Sequence, residues 1–171
     1  MIDRAAAALR AEQPVVLPFD TVYGLAAEPY REEATRRLYE LKGRDASRPS
    51  ALVARDFDYL LECVPELRGR AASLARLLLP GPLTLILPNP AHRFRWLTGT
   101  NPEAIGVRVP QLEAPGRDVL ELLGALVATS ANHPASRIRG DSTRCRRTSG
   151  WAQARSWTEE SCPEPRPRSS T

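Results

Sequence analysis

Four short segments place hydroxyl, ammonium, guanidinium and carboxylate groups where apolar runs give way to turns. In the first, Pro18-Phe19-Asp20-Thr21-Val22-Tyr23-Gly24-Leu25-Ala26, Asp20 and Thr21 follow the apolar run Val15-Val16-Leu17. In open α/β sheets the carboxyl ends of strands are where ligands bind. Gly24 allows a close approach that a side chain would forbid. The second segment is Lys42-Gly43-Arg44, continuing to Arg48-Pro49, and the third is Pro80-Gly81-Pro82-Leu83-Thr84. The fourth joins Gly106-Val107-Arg108-Val109-Pro110 to Ala128-Thr129-Ser130-Ala131-Asn132. Together these groups suit oxyanion and phosphate binding. No G-x-x-x-x-G-K-[ST] run occurs, so a P-loop nucleotidase is excluded.

Lys42 is the only lysine in the chain. A compact ammonium fits a phosphate, but a solvated cation at a helix end, favoured by the macrodipole, fits the spacing equally well. Arg44 and Arg48 could grip phosphate oxygens in fork geometry, or form surface ion pairs of small worth. Arg108 stands between Val107 and Val109, so its side chain points to the face opposite theirs. An arginine on a buried strand needs an anion, supplied by a protein carboxylate or a ligand. Thr129, Ser130 and Asn132 close a strand, where they serve a ligand or simply a turn. Thr84 reads as a strand former rather than a contact.

Alternating helices and strands must position these groups. Residues 3–12 predict a helix, Val15–Phe19 a buried strand, and 31–42 an amphipathic helix with Ala34, Leu38 and Leu41 on one face. Ala51–Ala54 reads as a strand, Asp56–Cys63 and Arg68–Leu79 as helices. Leu74, Leu77 and Leu78 form the expected apolar stripe of the latter, which Pro80-Gly81-Pro82 ends. Strands at 83–87 and 105–109, a helix at 119–126 and a last strand from Leu126 complete the series. The pattern predicts an α/β domain with a mixed, twisted sheet.

The chain has 171 residues, enough for one domain with a sizeable core. Residues 1–134 hold 16 basic and 16 acidic side chains, and 135–171 hold 8 arginines against 4 acids. The net charge of +4 therefore comes from the tail, and the body has no nucleic-acid signature. Cys63, Cys145 and Cys162 give no disulfide framework, and His92 and His133 fit no metal-ligand pattern, so no metal site is expected. His92 reads as a surface residue. No apolar run reaches the roughly 18 residues that span a membrane, and a cytoplasmic location is expected.

The four segments, in this order, resemble the YrdC/Sua5 family of threonylcarbamoyl-AMP synthases. That family's pattern reads P-T-[DE]-T-V-Y-G-L, K-x-R-P, P-G-P-x-T, V-R-x-P and S-x-S-A-N. The resemblance implies a YrdC-like sheet flanked by helices around a concave ligand cavity. It implies nucleotidyl transfer: ATP, L-threonine and bicarbonate give L-threonylcarbamoyl-AMP and pyrophosphate, with Mg2+ held through the phosphates. A downstream transferase complex then modifies adenosine 37 of tRNA. It places Thr21 and Arg108 on threonine, and Lys42, Arg44, Arg48, Ser130 and Asn132 on ATP. Phe19, Asp45, Ser50, Val53 and Ala128 depart from the pattern. Two other readings are a non-catalytic tRNA or double-stranded RNA-binding module, and carbamoyl-adenylate chemistry of the hydrogenase-maturation type. The neutral body argues against the first, and the lack of acylphosphatase and zinc-finger segments against the second.

The resemblance covers residues 1–134. Residues 135–171 are rich in Arg, Ser, Thr and Pro and contain only Ile138 among Ile, Leu, Val, Phe and Met. Disorder is expected there, since little apolar surface is available to offset ordering entropy. Read one base earlier with G+C-rich codons, the tail can give a V-V-D-G run like the family's continuation. The expectation is therefore an out-of-frame tail on a C-terminally incomplete domain, with a natural basic tail as the alternative.

Overall fold

The computed structural model describes residues 1–20 and 22–131, together with the backbone of 155–156. The elements in chain order are α1 (Ile2–Arg10), β1 (Val15–Pro18), β2 (Tyr23–Ala27), α2 (Glu32–Lys42), β3 (Ala51–Ala54), α3 (Phe57–Cys63) and α4 (Gly69–Leu78). They continue with β4 (Leu85–Pro88), a 3-10 turn at Arg95–Leu97, β5 (Ala104–Arg108), α5 (Gly116–Leu123), β6 (Ala125–Ser130) and the two-residue β7 (Arg155–Ser156). The sheet order is β4-β5-β3-β6-β2-β1-β7. β3 and β5 run parallel, as do β1 and β7, and the other neighbours are antiparallel. This is the mixed sheet with flanking helices expected from the sequence. Apart from β7, expectations about residues 135–171 lie outside the described residues.

Period-2 alternation splits the apolar residues between two cores. On one face Leu25, Leu52, Ile105, Val107 and Val127 pack beneath α2, α3 and the 95–97 turn; each is at most 1% exposed. On the other, Val15, Leu17, Ala26, Val53 and Leu126 pack with Ala5 and Leu9 of α1 and Val119 and Leu120 of α5. Each fully buried Leu, Ile or Val contributes about 1.5–3 kcal/mol by leaving water.

Two expectations need correction. After the expected strand, residues 23–27 form a second one and complete a hairpin, closed by the Phe19 N–H donating to the Val22 carbonyl at 3.2 Å, with Leu17 opposite Gly24. β2 was hard to see because Gly24, Ala26 and Ala27 are weak strand formers. The expected stripe of α4 is outside: Leu74, Leu77 and Leu78 are 53%, 82% and 48% exposed, and the helix buries Ala75 instead. A leucine run fits the helical period on more than one face, so spacing alone could not choose the inward one.

Candidate active site

The two helices α1 and α5 cover only part of their sheet face. Register sets Ile86, Gly106, Ala51, Ala128, Ala26 and Val15 in one row across six strands. Ala26 and Val15 are buried, Ala51, Gly106 and Ala128 are partly exposed, and Ile86 is 70% exposed. The open half is thus floored by small residues that leave room above the sheet. Arg108 and Ser130 each lie two residues from this row and project to the same face, but in opposite directions along the sheet, because β5 and β6 run antiparallel.

Lys42 closes α2, where Gly43 takes the left-handed conformation (φ 59°) that stops the helix. Its side chain is only 5% exposed, and its Nζ donates to the Ser130 carbonyl. The solvated-cation reading therefore fails. Two residues on, Arg44 donates from Nη2 to the Pro49 carbonyl at 2.6 Å and from Nη1 to Thr129 Oγ1 at 3.5 Å. Its buried Nε has no partner among the described residues. Burial pushes the pKa of nearby Tyr39 up and keeps its phenol neutral, and the positive charge of Arg44 pulls it the other way.

Arg108 has found its anion. Its Nη2 donates to Asp20 Oδ1 and Oδ2 at 2.6 and 2.7 Å, with side chains 19% and 14% exposed. The loop after β1 must fold over the open face to make this contact. Phe19 holds it there: a Cβ on Gly24 would lie 2.7 Å from the Phe19 ring, so glycine is what lets the ring settle. The ring also packs against the core under α1 and α5, which accounts for an aromatic at this position. Arg108 Nε is buried and unpartnered among the described residues.

The structure thus brings Lys42, Arg44 and Ser130 together, and joins Arg108 to Asp20. Arg48 stays exposed with its side chain in no described hydrogen bond. Thr21 and Asn132 lie outside the described residues. Thr84 is exposed just before β4, its methyl 3.5 Å from where a Gly106 Cβ would stand. The Pro80–Pro82 turn is tied to the end of β5 by the Gly81 N–H donating to the Val109 carbonyl at 2.9 Å. A cavity of about 350 Å³ nearby is lined by Pro80, Val109 and Pro110 of the third and fourth segments together with residues such as Arg55 and Arg117, but not by Lys42, Arg44, Arg48, Arg108 or Ser130. Sequence reasoning missed Ala51 and Gly106 as floor residues and Asp20 as the partner of Arg108. The signal for the first was small residues at alternate positions on adjacent strands.

A sequence model of the Sua5, YciO and YrdC proteins, described as telomere recombination, matches residues 7–151. The chain belongs to the Sua5/YciO/YrdC family. A relative named threonylcarbamoyl-AMP synthase from Pseudomonas fluorescens is 36% identical over 148 residues, 81% of this chain and 75% of that one. The family likeness extends to solved structures. Sua5 from P. abyssi complexed with L-threonine matches with a TM-score of 0.68 and 36% identity, over 77% of this chain and 38% of that one. Escherichia coli YciO matches with a TM-score of 0.63 and 26% identity, over 79% and 65%. This chain therefore spans about two fifths of the Sua5 chain that it resembles.

Proposed function

We propose that the chain is an L-threonylcarbamoyl-AMP synthase, a nucleotidyltransferase that serves threonylcarbamoyladenosine modification of tRNA. The observation that carries the reading is a set of cations about the sheet: a buried ammonium and a part-satisfied guanidinium at the end of β6, with a second guanidinium at the end of β5. Lys42, Arg44 and Arg48 face the ATP phosphates, Ser130 and Asn132 lie against the nucleotide, and Thr21 and Arg108 hold threonine. The threonine amine captures carbon dioxide or bicarbonate, and the resulting carbamate attacks the α-phosphate, expelling pyrophosphate. Such a reaction needs cations, hydroxyls and alignment of the reactants more than a covalent nucleophile. Among the described residues no group of three His, Cys, Asp or Glu side chains could hold a metal ion. On this reading Mg2+ is carried by the phosphates.

The same reading puts the protein in the cytoplasm, with its product passing to a threonylcarbamoyl transferase complex. Among the described residues no helix is long and apolar enough to cross a membrane. It also takes residues 1–134 as the domain and 135–171 as an out-of-frame tail. The gene's nucleotide sequence decides that point, since a neighbouring frame without a family-like continuation removes it. The activity test is pyrophosphate release from ATP. Release that needs both threonine and bicarbonate is the expected result. Threonine-independent RNA retention without release would overturn the reading in favour of an RNA-binding module.

A further inference from the structure

We propose that Asp20 is a specificity-determining residue that receives the ammonium of the amino-acid substrate, so that the Asp20–Arg108 ion pair reads a zwitterion as a unit. The inference rests on the synthase reading and deepens it. Both Asp20 oxygens sit on one nitrogen, Nη2, at 2.6 and 2.7 Å. Among the described residues that nitrogen is the only hydrogen-bond donor to the Asp20 carboxylate, which has room for about four. Arg108 likewise keeps capacity: Nη1 has no partner among the described residues, and Nε is buried without one.

The pair therefore presents unused donors beside unused acceptors, both on the open face. An α-amino acid carries a carboxylate and an ammonium on one carbon, the complementary arrangement. A carboxylate arriving on Nη1 need not displace Asp20, because Asp20 uses only Nη2. It then brings its own ammonium next to the Asp20 oxygens. At 14% and 19% exposure water competes weakly, and charge-assisted hydrogen bonds there are strong. A hydroxy acid offers no ammonium and leaves two carboxylates side by side, which costs binding energy. The loop that carries Asp20 is anchored by Phe19 on Gly24, so the carboxylate is held in place rather than left to swing. The hydroxyl and methyl of threonine are read elsewhere; this pair reads only the head group.

The test is calorimetric titration of the full chain with L-threonine, with L-threoninamide, and with (2S,3R)-2,3-dihydroxybutanoate, which replaces the ammonium by a hydroxyl. Wild type should prefer threonine over the dihydroxy acid by more than about tenfold. Asp20→Asn should collapse that preference by about 10- to 100-fold, and Asp20→Glu should keep most of it. The ratio cancels whatever the lost charge does to the carboxylate arm. Asp20→Ser gives the same ratio should the Asn variant fail to fold. A wild type that binds both acids within threefold, or an Asn variant with an unchanged ratio, overturns the proposal and leaves the synthase reading standing. An Asn variant that binds both acids more tightly would show that Asp20 merely competes for Arg108. Failure of wild type to bind threonine at all overturns both.

Discussion

Replacing Lys42 by methionine separates a lysine kept for a ligand from one kept for the fold. The side chain is 5% exposed, and its ammonium donates to the Ser130 carbonyl. Holding a cation that far from water costs several kcal/mol, on the order of what a paired partner returns. Its hydrogen bond returns about 1.5–3 kcal/mol, and the carbonyl left behind loses about 1–3 kcal/mol. Methionine keeps the volume of the stem and removes the charge. The opposing effects leave a net change in fold stability below about 2 kcal/mol, a midpoint shift of less than about 8 °C. On the synthase reading binding is different, because nothing would offset a lost contact to a phosphate oxygen. Affinity for a non-hydrolysable ATP analogue should fall about 10- to 150-fold, the equivalent of 1.5–3 kcal/mol. Thermal melts and calorimetric titration of the same preparations give both numbers. A variant that loses more than about 3 kcal/mol of stability yet binds the analogue as wild type does would refute the reasoning, leaving Lys42 a structural residue.

Two further predictions concern the scaffold. Asp56 caps α3, its Oδ1 accepting the Tyr59 N–H at 2.6 Å, and that bond, aided by Arg55, holds its carboxyl below the ordinary 3.8. Asp56→Ala should cost about 0.5–2 kcal/mol at neutral pH. Because the folded value is depressed, this contribution is present above the ordinary value and is lost as pH falls through the folded one. Urea melts at pH 7 and pH 3 should show the gap to wild type closing at the lower pH. Leu77 is 82% exposed, so Leu77→Glu should change stability by less than about 0.5 kcal/mol. A loss of several kcal/mol in the same melts would mean that α4 buries its leucines after all.

Much of the candidate site was legible as a set of residues because its polar groups sit in short runs. Lys42 and Arg44 stand two residues apart at a helix end, and Ser130 and Arg108 stand in strands whose neighbours are apolar. What composition could not supply was register. That Gly106, Ala51 and Ala128 fall in one row depends on three strand pairings that join residues far apart in the chain. The Asp20–Arg108 contact spans 88 positions and appears only once the loop after β1 has folded over the face. Arg108 itself announced that an anion was needed, and the choice between protein carboxylate and ligand was settled by packing for the unliganded chain. The stripe of α4 misled because every leucine of that helix satisfied the period, whereas the direction of burial is set by what lies beneath it. β2 was overlooked because a strand in the middle of a sheet can be held by its two neighbours without branched side chains of its own.

The place of β6 has a consequence for how the protein is made. Among the described strands it is the last of more than two residues to leave the ribosome, yet it lies between β2 and β3 in the sheet. Until residue 125 and its successors emerge, the nascent chain can hold only two separate pieces, the β1–β2 hairpin and the β3–β5–β4 group. Each piece carries a bare inner edge rich in apolar side chains, such as Leu25 and Leu52. Such edges invite pairing with other chains, which makes this interval the one in which a chaperone matters most. Docking of β6 joins the pieces and, in the same step, delivers the Ser130 carbonyl to Lys42 and Thr129 to Arg44. Joining of the two pieces and assembly of the candidate site around Lys42 and Arg44 are therefore one event, and a half-made chain has no partly built site to expose.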